Sequence, residues 1–215
     1  MFQRTVAKNT IQLGITAVFT ALVCIATMSF TVYVPSTKGF FNIGETMVYT
    51  SALLFGPFVG AFAGGVGSMF ADILLGYYYY APATLVIKAV EGGLVGFLIR
   101  KKPLLSKSYT KGEWKVFTLE IAVLVGALVS LIGFLYYSGF VEFYSGIPPP
   151  ENPTSAIFIP VEFWLALGVS VIFLITAVAF ISEPEFSWTI ISTIFGGLLM
   201  VTGYFLYQQF ILGVL

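Results

Sequence analysis

Residues 45–76 read ETMVYTSALLFGPFVGAFAGGVGSMFADILLG, and this stretch decides the fold. It is an apolar run of about 32 residues, interrupted at Gly56-Pro57. With ~1.5 Å of rise per residue, one membrane span takes about 20 residues, so the run is too long for one helix and short for two. A proline has no N–H to continue a helix, and the glycine before it turns freely. The stretch therefore predicts two short helices, 45–56 and 58–76, joined by a tight Gly-Pro turn. Such short helices hold in lipid where other protein covers their ends, which predicts a compact bundle with an enclosed cavity.

The rest of the composition agrees. Of 215 residues, 58% are hydrophobic and 9% charged, with a mean hydropathy of +0.96. Soluble domains carry roughly 25% charged residues. The chain is expected to be an all-α polytopic membrane protein, because its apolar runs are long and continuous where a barrel would alternate. Ten basic and ten acidic residues cancel, so no basic patch points to nucleic acid. There is no histidine, and the one cysteine is Cys24. These counts exclude histidine acid–base chemistry, Ser-His triads, His/Cys metal centres and an intrachain disulfide. The single aspartate, Asp72, excludes a paired-aspartate protease. No enzymatic activity, metal or cofactor is expected.

Further spans are predicted at 11–34, 83–99, and roughly 115–137, 157–181 and 187–213, giving six to seven helical segments in a single transmembrane domain over 1–215. The first apolar stretch lacks an A-x-A cleavage site and reads as a helix, not a signal peptide. Tyr77 to Tyr80 read as a belt at the membrane interface, and the loop 139–156, with Pro148-Pro149-Pro150, as an extended external segment. Six of the ten Lys and Arg residues fall between Arg100 and Lys115, and Arg4 and Lys8 precede the first span. Both groups fall on one side, which predicts a cytoplasmic N-terminus and an external C-terminus for this chain in the cell membrane. Lys38 lies in the opposite, external loop.

Small residues recur at strict four-residue spacing along Gly56, Gly60, Gly64 and Ser68 to Asp72, and again along Lys88, Gly92 and Gly96. This spacing lets helix backbones approach closely and, by itself, signals packing. Ala17 and Ala21 form a similar Ala-x-x-x-Ala pair on the first helix, with Gly14 and Thr20 nearby. Intramembrane charges are more informative, since each costs roughly 2.5–3.5 kcal/mol at the bilayer centre on insertion scales. Lys88 and Glu91 stand three apart on one helix face, with Lys88 about 9 Å below Pro82, and read either as a structural ion pair or as part of a polar ligand site open to the outside. Asp72 and Glu45 fall at the same external side. Phe40 and Phe41, adjacent aromatics in a water-facing loop, invite a lid, with Asn42 supplying a hydrogen bond.

Three segments carry a resemblance: Lys38-Gly-Phe-Phe-Asn-Ile-Gly-Glu45, the Leu-Leu-Phe-Gly-Pro turn with its glycine stripe ending in Ala71-Asp72, and Ala81-Pro-Ala-Thr-Leu-Val-Ile-Lys-Ala-Val-Glu-Gly92. Together they resemble the substrate-binding S component of energy-coupling factor (ECF) vitamin transporters over residues 11–100, and Gly196 to Tyr207 resembles that family's fifth helix. The resemblance implies a six-helix protein that binds a small water-soluble vitamin or precursor and docks on a transmembrane T component carrying two ATPase subunits. It implies docking through Ala17 and Ala21, and a ligand site around the first external loop and the helices after it. In that setting Phe40, Phe41, Asn42, Glu45, Asp72, Lys88 and Glu91 are the candidate ligand residues. Residues 114–181 stand out as an extra helical hairpin, followed by the S-component-like helix 187–213. The chain has no G-x-x-x-x-G-K-[ST] loop, as expected if ATP is hydrolysed by another subunit. The competing readings are a self-contained ion-coupled transporter using Asp72, Lys88 and Glu91 as a relay, and a membrane scaffold whose glycine stripes merely pack.

Overall fold

The computed structural model describes residues 2–34, 39–101, 110–143 and 152–213. Seven α-helices appear among them: α1 Phe2–Ser29, α2 Glu45–Phe55, α3 Pro57–Leu74, α4 Ala81–Arg100, α5 Lys111–Tyr136, α6 Val161–Ile181 and α7 Pro184–Tyr207, which runs on into a π-helical turn, Gln208–Leu212. Two short antiparallel ribbons complete the set, β1 Thr31–Val34 with β2 Gly39–Asn42, and β3 Gly139–Phe143 with β4 Ser155–Ile159. Six of the helical segments are long and apolar enough to cross a membrane. Large apolar side chains such as Ile25, Phe62, Phe70 and Val90 lie outside, while glycine, alanine and polar groups fill the interior. That inversion suits a lipid solvent, where burying apolar surface gains nothing and close backbone contact does.

The chain forms two compact units. The first holds α1 to α4 together with α7 from Thr193 onward. Its frame is the antiparallel pair α3 and α4, on which the two small-residue stripes mate. A Cβ added to Gly60 would lie 2.6 Å from the Gly92 carbonyl oxygen, one on Gly64 would lie 3.0 Å from that of Lys88, and one on Gly96 would lie 2.6 Å from the Gly56 carbonyl carbon. The turn between α2 and α3 is made by Gly56 at φ +86°, a left-handed conformation open to glycine, followed by Pro57 at the first helical position. Arg100 closes it by donating from Nη2 to the Phe55 carbonyl at 3.0 Å. Helix α1 packs on α3, where a Cβ on Gly67 would meet the Thr20 carbonyl at 2.6 Å and the Val23 side chain at 2.8 Å.

In the second unit, α5 and α6 pair as a hairpin. Gly126 approaches the Gly168 carbonyl, and Trp164 covers Gly133 while its Nε1 donates to the Tyr137 carbonyl at 3.0 Å. Helix α5 starts with a capping box, Thr110 against Glu113. Lys111 and Glu183 form an exposed pair at 3.2 Å; such pairs contribute little.

Three expectations need correction. The first span does not run from 11 to 34: helix α1 stops at Ser29, and Thr31–Val34, rich in β-branched and aromatic residues, pairs with Gly39–Asn42 in the register Thr31 to Asn42 and Tyr33 to Phe40. The segment predicted to be helical from 157 begins instead at Val161, because Ser155–Ile159 pairs as a strand and Pro160 starts the helix. The four tyrosines are not a uniform interfacial belt, since Tyr77 and Tyr80 are buried and Tyr78 and Tyr79 exposed. The remaining boundaries shift by a few residues, α2 and α3 being 45–55 and 57–74. Lys38, residues 102–109 and the run Pro148 to Pro150 lie outside the described residues.

Candidate functional site

The site is assembled from α2, α3, α4 and α7. Asn42 ends β2, and its Oδ1 accepts the Gly44 N–H at 2.8 Å, a side-chain turn that sets where α2 begins. Glu45 thereby stands in the first turn of α2, where the helix dipole favours a carboxylate, and Tyr49 follows one turn later on the same face. On α4, Thr84, Lys88 and Glu91 are all buried, at spacings of four and three that keep them on one face.

The Lys88 ammonium pairs with Glu45 across the helices and donates to Glu91 Oε2 at 3.1 Å. Its third contact is the Met200 sulfur at 2.7 Å, and the Tyr204 ring centroid is 5.8 Å away. An ammonium has three N–H donors, so all are taken. Glu91, fully buried, is also satisfied at its second oxygen, because the Tyr49 hydroxyl donates to Oε1 at 2.7 Å. Tyr204 donates to Thr84 Oγ1 at 2.9 Å, and the Thr84 side chain in turn reaches the Asp72 carboxylate. Since Thr84 and Lys88 are one turn apart, the two halves form one buried polar network. Two carboxylate oxygens within it, Glu45 Oε2 and Asp72 Oδ2, have no hydrogen-bond partner among the described residues.

An aromatic wall adjoins this network. Phe40 packs on Tyr77 with ring centroids 4.7 Å apart, and Tyr80 packs on Tyr204 at 6.2 Å and Tyr207 at 6.0 Å. Gln208 Nε2 donates to the Tyr80 hydroxyl at 2.9 Å. Neighbouring residues of a strand point to opposite faces, so only one of the paired phenylalanines can turn inward. It is Phe40; Phe41 is 60% exposed.

Of the residues singled out from sequence, Glu45, Lys88 and Glu91 are in direct contact, and Asp72 joins them through Thr84 and Tyr204. Phe40 belongs to the aromatic wall. Asn42 supports the start of α2, while Phe41 stays outside. Ala17 and Ala21 are exposed on α1, away from the face buried against α3, and the Cβ position of neighbouring Gly14 meets nothing within 4 Å. Sequence reasoning missed Tyr49, Thr84, Met200 and Tyr204. The first two carry a signal, each one turn from a charged residue already noted; Met200 and Tyr204 carry none.

A chain with six helical segments long and apolar enough to cross a membrane is, in class, an integral membrane protein. The family model for "ECF-type riboflavin transporter, S component" matches residues 7–182, and the chain belongs to that family of transporter subunits. The matched span runs from within α1 to the end of α6. A Pyrococcus woesei protein described as "Uncharacterized protein in gap 3'region" is 36% identical over 133 residues, covering 58% of this chain and 82% of the relative. The "Thiamine precursor transporter HmpT" of Lactococcus lactis subsp. cremoris (strain MG1363) is 28% identical over 130 residues, covering 60% of this chain and 71% of the relative. No solved structure matches. S components of this kind work with T and ATPase components.

Proposed function

We propose that this chain is the substrate-capture subunit of an ATP-driven importer for a small water-soluble vitamin or vitamin precursor. The observation that carries this is the buried network of Glu45, Tyr49, Lys88 and Glu91 with acceptors left over at Glu45 and Asp72. A network serving only to pack helices would close on itself, since buried polar groups without partners are rare and costly. Riboflavin and thiamine precursors are the first ligands to try, the one from the family description and the other from the Lactococcus relative. Phe40, on the aromatic wall, would close over the ring face of such a heterocycle.

The partners are a transmembrane T component and two ATPase subunits, docked through the exposed Ala17 and Ala21 face of α1. Small residues there let a partner helix come close, and close approach is what drives helix association in lipid. The charge distribution supports a cytoplasmic N-terminus, with residue 213 on the external side of the cell membrane. Vesicle reconstitution tests the proposal. The chain alone should bind ligand without accumulating it, and uptake should appear when T and ATPase subunits are added with ATP. Uptake by the chain alone, without ATP, contradicts the capture role and favours an ion-coupled transporter.

A further inference from the structure

We infer that the network takes a ligand presenting hydrogen-bond donors or positive charge, and rejects the phosphorylated or carboxylated form of the same ligand. The inference deepens the proposed capture role and rests on it. Glu45 and Glu91 share one ammonium, Lys88, while a third carboxyl, the buried Asp72, meets Thr84 and has no cation of its own among the described residues. Lys88 has nothing left to offer an anion, because its three donors already meet Glu45, Glu91 and the Met200 sulfur. A phosphate would have to take the place of the Met200 sulfur or of a carboxylate, and in either position it would stand beside Glu45 and Glu91, which already outnumber the one ammonium. The remaining capacity among the described residues is of the opposite kind. Asp72 is only 4% exposed, and its Oδ2 is a buried acceptor with no donor, as is Glu45 Oε2. A carboxylate accepts and does not donate, so the group that completes the network must bring N–H or O–H donors. No other described cation relieves the imbalance. Arg100 is twelve residues beyond Lys88 on α4, about 18 Å along the axis, and is bonded to the Phe55 carbonyl. Charges separated from water act on one another with little screening, so this sign asymmetry bears directly on the ligand.

Matched ligand pairs provide the test, measured on the full chain purified in detergent by isothermal titration. The pairs are riboflavin with riboflavin 5′-phosphate, and 4-amino-5-hydroxymethyl-2-methylpyrimidine with its phosphate ester. The unphosphorylated member of at least one pair should bind about tenfold or more tightly than its phosphate. Removing one carboxylate without changing shape, by Glu45→Gln, should narrow that ratio; Asp72→Asn serves the same purpose if the first variant does not fold. A phosphorylated member that binds as tightly as its partner overturns the inference and leaves the capture role standing. An unchanged ratio in a folded variant also overturns it. Failure of all four compounds to bind overturns the inference, while the capture role is decided separately by the vesicle uptake test.

Discussion

Lys88 and Glu45 lie 43 residues apart in the chain and share one ion pair, the ammonium on α4 reaching the first turn of α2. The pair ties the helix that opens at the first ribbon to the helix that carries the rest of the charged network. The Lys88 side chain is 5% exposed and that of Glu45 26%, so the two contribute unequally to the dry interior.

Removing the cation alone should be severe. Lys88→Met leaves the fully buried Glu91 without a counter-charge, beside a half-buried Glu45, and is expected to destabilise the chain by about 3–5 kcal/mol. Adding Glu45→Gln and Glu91→Gln should restore most of the loss, as seen by thermal unfolding in detergent. Exchanging the charges at 88 and 91 should also destabilise, because a glutamate at 88 would face Glu45. Stability unchanged in Lys88→Met contradicts a buried three-residue ion network.

Tyr49→Phe removes the only hydroxyl donor seen on Glu91 Oε1 among the described residues and leaves that oxygen buried. The expected loss is about 1–3 kcal/mol, read as a lowered unfolding temperature. A variant as stable as the parent would mean that Glu91 finds another donor.

The α3–α4 frame predicts a contrast between two glycines. A Cβ on Gly92 would run into the Gly60 carbonyl, whereas one on Gly14 meets nothing. Gly92→Ala should cost about 1–3 kcal/mol through overpacking, while Gly14→Ala should fold like the parent. Equal behaviour of the two variants would contradict the close helix approach.

Docking is predicted to be separable from ligand capture. Ala17→Trp with Ala21→Trp places two rings on the exposed face of α1 and should abolish co-purification with the T component, leaving ligand affinity unchanged. Retained co-purification would place the docking surface elsewhere.

How far the sequence could be read depends on the range of each interaction. The two short helices and their turn were legible because Gly56-Pro57 and the length of the apolar run are local facts. The mating stripes were legible as two separate patterns; their antiparallel register, Gly60 opposite Gly92, needed the fold. Lys88 and Glu91 were visible as a pair because they are three residues apart. Glu45 as the second partner was not, nor were Met200 and Tyr204, which arrive from 112 and 120 residues away. The β1–β2 ribbon was hidden by hydropathy: Thr31 to Val34 extend an apolar run smoothly, and their β-branched character is a weaker signal than the run itself. The tyrosine row misled for a similar reason. Four identical side chains look alike in sequence, but the turn after α3 buries the first and fourth and exposes the two between.

The account centres on the Glu45–Lys88–Glu91 network as the place of ligand capture. Isothermal titration of riboflavin and of 4-amino-5-hydroxymethyl-2-methylpyrimidine tests it most directly. Each is titrated into the purified chain, without ATP or partners, and into the triple variant Glu45→Gln, Lys88→Met, Glu91→Gln. Saturable binding of at least one compound to the parent is predicted, at one ligand per chain, with affinity at least about tenfold weaker in the triple variant while its unfolding temperature is maintained. Binding of equal affinity to the folded triple variant would contradict it.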